Sequence, residues 1–282
     1  MKVKIISDST CDLSPELIEK YDIAILPLYV NMADKVMKDG AEVVPEDIYS
    51  YVKETGVLPK TAAPNISDYL EIFNEWHDKG YSIVHFNISS DFSSAYNTAC
   101  LAAEEVGDVC VVDSRNLSTG QGLVVLYGAE LAAEGKSIEE IKAACDEITP
   151  KVEASFVVDS IDYLYKGGRC SAVAALGANL LKLKPRIDVI DGAMTSSKKF
   201  RGNIDRVILN YVEEKLSDRD DIDYKRIFIT HTKCNPEVCQ QVREKIQELC
   251  PQFEEILETT AGCTITSHCG PNTLGVLFIR NK

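Results

Sequence analysis

Apolar positions in the first half of the chain recur as short β-rich runs, each followed by a polar loop and a helical period. Lys2-Val-Lys-Ile-Ile-Ser7 ends in Asp8-Ser-Thr-Cys-Asp-Leu13, after which Ser14-Pro15-Glu16 opens a helix with a capping hydroxyl, a first-turn proline and a first-turn acid. A second apolar run covers Ala24 to Val30. The pattern returns at Tyr81–Ile88, leading through Ser89-Ser-Asp-Phe-Ser-Ser-Ala95 to an alanine-rich helix from about Tyr96 to Glu105. It returns again at Val109–Ser114, then Arg115–Gly122, then a helix over Leu123–Ala133. Another helix, Ile66–Asp78, has Asn65 as its cap. Apolar strands alternating with helices predict a parallel sheet covered on both faces.

The grammar changes after Thr149-Pro150. Ala154–Asp159 reads as a strand, Ile161–Tyr165 as a short helix closed by Lys166-Gly-Gly-Arg169, and Ser171–Leu183 as a nearly all-apolar, buried helix that stops before Pro185. Arg186–Ile190 and Ala193–Ser197 flank Asp191-Gly192, a pair suited to a tight hairpin turn. A helix near Ile204–Leu216, a strand at Arg226–Thr230, a helix from Pro236 and two late strands follow. The expectation is an α/β protein of two domains: an N-terminal parallel-sheet βαβ domain over 1–152 and a C-terminal α+β domain over 153–282.

Composition narrows the function classes. With 282 residues and 45% hydrophobic side chains, a sizeable core is expected. A net charge of -14 argues against polyanionic partners, so neither nucleic acid nor anionic membrane surfaces are expected to bind. No run reaches the ~18 apolar residues of a spanning helix, and no secretory signal opens the chain, so a cytoplasmic protein is expected without membrane insertion. Ten cysteines then read as buried thiols.

Three sheet-end loops carry the candidate chemistry. Ser93-Ser94 stands before a helix, either as an anion cradle of hydroxyls and first-turn amides or as a plain cap. Thr61 lies in a similar loop, where the residues by themselves read first as an exposed turn threonine. His268 sits in the small-residue loop Ser267-His-Cys-Gly-Pro-Asn272, where it could donate to a carboxylate or to a neighbouring carbonyl. Lys166-Gly-Gly-Arg169 is an anion nest or a helix end. Two clusters, His231/Cys234/Cys239 and Cys263/His268/Cys269, lack the paired spacing of zinc modules, and no metal is expected. There is no Gly-x-Ser-x-Gly elbow and no phosphate-binding Gly-x4-Gly-Lys-Ser/Thr loop. Gly120-x-Gly122 lacks the third glycine of a dinucleotide fingerprint.

Taken in order, these segments resemble the DegV family of bacterial fatty-acid-binding proteins. The landmarks are Asp8–Leu13, Thr61-Ala-Ala-Pro-Asn65, Ile88–Tyr96, Val112–Gly122, Tyr163–Arg169, Lys184-Pro185, Lys199–Gly202 and His268–Gly275, which together span essentially the whole chain. The resemblance implies a DegV-like two-domain carrier with one long-chain fatty acid in a buried tunnel, no cofactor and no chemistry of its own. Thr61 and Ser93 would bond the carboxylate, the Ser94 amide would assist, and His268 would close the site from the second domain. In the better-understood branch a separate fatty acid kinase converts the presented carboxylate to an acyl phosphate for phospholipid synthesis. Arg169 and Arg201 match basic positions that would lie near the mouth of the tunnel and face that kinase. The chain departs from the family's usual pattern at Ala62, Ser94 and Asn272, while Thr61, Ser93 and His268 are retained. The competing reading is a sugar- or ketone-handling enzyme related to dihydroxyacetone kinases, prompted by the serine-rich loops and His268.

Overall fold

The computed structural model describes residues 2–170 and 183–282. Its first sheet is parallel, with strands β1 (Lys2–Asp8), β2 (Ala24–Leu26), β6 (Tyr81–Asn87) and β7 (Val109–Asp113) in the order β2-β1-β6-β7. Helices cover both faces, as the alternating pattern requires. On one side α3 (Ile66–Asp78) and α4 (Ala95–Val106) bury Tyr69, Phe73 and Ala99 against Ile6 and Ile83. On the other, α1 (Pro15–Lys20), α5 (Thr119–Ala133) and α6 (Ile138–Ile148) meet Ile5, Val84 and Val112. Local capping marks the starts of several of these helices. Ser14 accepts from the Leu17 amide, and Asn65 accepts from Ser67 and Asp68 while Asp68 accepts from Asn65.

The apolar run at 24–30 does not make one strand. Pro27 lacks the amide a ladder needs, and the chain leaves the parallel sheet after Leu26. It re-enters pairing as β3 (Tyr29–Met32), which joins β4 (Lys35–Lys38) and β5 (Lys60–Ala62) in a small antiparallel sheet, order β4-β3-β5. This sheet, α2 (Pro45–Thr55) and α6 were not anticipated from the hydrophobic pattern.

The second large sheet is mixed, with order β10-β9-β8-β13-β11-β12. Its strands are β8 (Val152–Val157), β9 (Leu183–Ile190), β10 (Ala193–Arg201), β11 (Ile222–Thr232), β12 (Glu255–Thr260) and β13 (Thr273–Arg280). All neighbours are antiparallel except β11 and β12. Asp191 and Gly192 both take positive φ, 50° and 84°, as a primed hairpin turn demands. β9 begins at Leu183 and runs through Pro185, so the expected helix does not include Leu183; its remainder, 171–182, lies outside the described residues.

Short helix α7 (Asp162–Gly167) follows β8, and α8 (Ile204–Leu216) and α9 (Pro236–Leu249) pack on this sheet through Val207, Tyr211, Val242 and Ile246. The last helix, α10 (Cys263–Cys269), occupies the stretch expected to be a loop around His268.

One apolar cluster runs from the parallel sheet into the mixed one. It joins Ile5 and Val84 to Phe156, Phe228 and Leu277 around α5. That helix is buried around most of its circumference, which explains its glycines. A Cβ on Gly122 would lie 2.8 Å from the Cys11 carbonyl oxygen, and one on Gly128 would lie 2.5 Å from Phe86. Gly120-x-Gly122 is therefore a close-packing device. No helix among the described residues is long and apolar enough to cross a membrane.

Candidate functional site

Thr61 lies on β5 and His268 in the last turn of α10, 207 residues apart, with Thr61 Oγ1 and His268 Nε2 2.8 Å from one another. Both line an apolar cavity of about 60 Å3, whose walls include Leu28, Ile88, Phe92, Leu117, Met194 and Ile265. Ser93 lines it as well, so three of the four expected head-group residues converge. The Ser93 hydroxyl also accepts from the Ala95 amide at 3.2 Å, which makes it the capping hydroxyl of α4. The capping reading of Ser93 is thus met, by a hydroxyl that also borders the cavity. Ser94 is different. It is exposed at the N-cap position of α4 and does not line the cavity.

His268 is kept neutral. Burial, reinforced by the Arg169 guanidinium, pushes its pKa down to about 4. Its Nδ1 has no partner among the described residues, and a Cβ on Gly167 would come within 2.3 Å of that atom. The Lys166-Gly-Gly-Arg169 segment thus packs against the imidazole, and Gly167 permits the approach. Arg169 lines the cavity, is itself exposed, and donates to the Gly167 carbonyl at 3.0 Å. Arg201 is not brought there. It ends β10 opposite Leu183, seven positions beyond the cavity residue Met194, or about 23 Å along the strand.

A second apolar hollow of about 30 Å3 lies against Phe156, Gly275 and Leu277. Leu117, Ile265 and Cys269 line both hollows and separate them. A larger cleft, about 640 Å3, lies elsewhere, against Arg115, Asp188, Asp191 and Lys215. Its charges are matched internally: Lys215 contacts Asp188 at 3.4 Å and also pairs with Glu153, and Arg115 contacts Asp91 at 3.2 Å.

The Asp8–Leu13 landmark is structural. Asp8 is fully buried and accepts from the Ile88 amide at 2.8 Å and Gln121 Nε2 at 2.9 Å, joining β1, the loop after β6 and α5. Asp12 accepts from Gly262 N–H at 2.8 Å, and burial lifts its pKa to about 8. Asp12 and Asp39, both touching the start of α10, were missed from sequence because their partners lie more than 220 residues away.

Neither histidine–cysteine cluster forms as spaced in sequence. Cys234 points its thiol to the Thr273 carbonyl at 3.3 Å, and Cys263 points to Val43. His231 and Cys239 do meet Glu258, with ligand atoms within 4.8 Å of one another. Arg243 already holds Glu258 at 3.3 Å, a positive charge that opposes a cation there.

The parallel sheet, the mixed sheet and the small antiparallel sheet define an α/β protein with a hydroxyl–imidazole pair lining an apolar cavity. A family model described as "Uncharacterised protein, DegV family" matches residues 2–281. The chain belongs to the DegV family. It is similar to a fatty acid-binding protein of Thermotoga maritima, 33% identical over 288 residues that cover 98% of this chain and 96% of the relative. Among solved structures it resembles a fatty-acid-binding DegV family protein from Thermus thermophilus, with TM-score 0.87, 28% identity and coverage of 99% and 100% of the two chains. It also resembles a stearic acid-binding protein from Eubacterium ventriosum, with TM-score 0.80, 25% identity and coverage of 99% and 98%.

Proposed function

We propose that the protein binds one long-chain fatty acid, head group at Thr61, Ser93 and His268, acyl chain along the apolar hollows. The observation that carries this is the Thr61–His268 pair lining a mostly apolar cavity beside Ser93. The fatty-acid-binding relatives support it. If His268 donates from Nε2 to Thr61 Oγ1, the threonine proton is free to point at a carboxylate oxygen. Neutral donors then satisfy the head group with no buried lysine. Each buried methylene contributes about 0.8 kcal/mol, so a long chain supplies on the order of 10 kcal/mol before ordering costs. The hollows are smaller than such a chain, which enters by displacing Leu117 and Ile265 between them.

In this reading the protein is a carrier without catalysis, built as domains 1–152 and 153–282 closed around the lipid. A partner fatty acid kinase transfers a phosphoryl group from its nucleotide to the presented carboxylate, giving an acyl phosphate. Arg169 lies beside the head group for that encounter, and Arg201 serves as a second contact.

The Thr61→Ala/Ser93→Ala double variant tests the assignment. Hydrogen bonds to a charged group contribute about 1.5–3 kcal/mol each, so oleate affinity by calorimetry should fall by roughly 100-fold or more with the fold retained. Unchanged affinity would contradict the head-group site.

A further inference from the structure

Helix α10 supplies Thr264, Ile265, His268 and Cys269 to the cavity, yet its start lacks a cap of its own. Gly262 occupies the N-cap position and has no side chain to receive the first free amides. Carboxylates from far along the chain take that place. Asp39 accepts from Cys263 N–H at 2.8 Å through one oxygen and from Thr264 N–H at 3.0 Å through the other. Asp12 accepts from Gly262 N–H at 2.8 Å. Asp39 is 3% exposed and also receives the Ser9 hydroxyl, so it is held from the parallel-sheet side too. The missing Gly262 side chain makes room, because a Cβ there would sit 3.1 Å from Asp12 Oδ1 and 3.4 Å from Asp39 Oδ1.

Asp39 directly follows β4, and Thr61 lies on β5. The small antiparallel sheet therefore grips α10 at both ends: Asp39 at its first turn and Thr61 at His268 in its last, about 10 Å apart for seven residues. Cys263 adds a third contact, donating to the Val43 carbonyl at 3.2 Å.

We propose that Asp39 is a positioning residue for the head-group site, setting the place of His268 against Thr61 by capping the helix that carries it. This rests on the fatty-acid reading for its effect on affinity but not for its effect on His268. Two carboxylate bonds to adjacent amides fix both the position and the rotation of a helix too short to hold itself. Loss of either lets its far end move, and hydrogen-bond geometry at His268 tolerates only a few tenths of an ångström.

Asp39→Asn keeps the shape and removes one of the two acceptors. The chain has four histidines, His77, His85, His231 and His268, so nitrogen–proton spectra of their rings separate the local effect from general loosening. The expected result is a shift of the His268 ring signals with the other three unmoved, together with at least a tenfold loss of oleate affinity. If Asp39→Asn does not fold, Gly262→Ala presses the carboxylates away from the helix start, at a backbone geometry alanine adopts freely, and should give the same signature. Unmoved His268 signals in a folded variant overturn the proposal. A wild-type protein that binds no oleate defeats the fatty-acid reading instead and leaves the ring signals as the test.

Discussion

The cleft at Arg115, Asp188 and Lys215, about 640 Å3, is roughly tenfold larger than the cavity below Thr61 and His268, about 60 Å3, and the two are built in opposite ways. In the cleft, acids and bases face each other and are matched by the protein itself. In the cavity, mostly apolar side chains surround the hydroxyl–imidazole pair of Thr61 and His268 with Ser93 beside it, and His268 Nδ1 has no partner among the described residues. The cleft also has apolar wall at Val152, Val189 and Ile190, but an aliphatic chain there would lie against paired charges, which the mostly apolar cavity spares it. Suitability for a lipid thus follows the polarity of the wall and not the present volume, because aliphatic side chains such as Leu117 and Ile265 can yield while a desolvated ion pair resists.

The sharpest way to break this comparison is to block the passage between the two apolar hollows. Ile265→Trp should lower oleate affinity by roughly 100-fold, since excluding only four methylenes costs about 3 kcal/mol. Arg115→Ala in the cleft should leave that affinity within about twofold, as expected for a site that shares no partner with the ligand. Calorimetry on both variants decides the matter. Equal losses would mean that the cleft takes part.

A smaller effect concerns the acids that hold α10. Burial lifts the Asp12 carboxyl to about 8 in the folded protein, against about 4 in an unfolded chain. Between those values the folded form holds a proton that the unfolded chain has lost. The associated stability is complete below about pH 4 and disappears as pH rises through 8. His268 and His85, lowered to about 4 and about 3, act in the opposite sense but only below about 6.5, the ordinary histidine value. From pH 6.5 to 8.5 the melting temperature should therefore fall by a few degrees. Asp12→Asn should flatten the slope. An equal slope in the variant would remove Asp12 as its source.

Features governed by neighbouring residues were legible in the sequence. Asn65 as a cap, the Asp191-Gly192 turn and the strand–helix alternation of the first sheet all follow rules that act over a few positions. The family landmarks likewise pointed to Thr61, Ser93 and His268, which the fold brings to one cavity. What escaped was written in distant pairs. The residues around His268 carry no local start signal, because the cap of that helix is Asp39, 224 positions earlier. The run at 24–30 divides at Pro27, a local signal that its apolar neighbours mask in the hydrophobic pattern. Arg201 illustrates a different limit: a motif match places a residue in sequence, but the strand carries it far from Met194 and the cavity.

The central claim is that the cavity headed by Thr61 and His268 takes a long-chain fatty acid. Organic extraction of the purified protein followed by mass spectrometry tests it most directly. The account predicts close to one long-chain fatty acid per chain, or stoichiometric uptake of added oleate. Repeated preparations that yield none, and that fail to bind oleate, would contradict it.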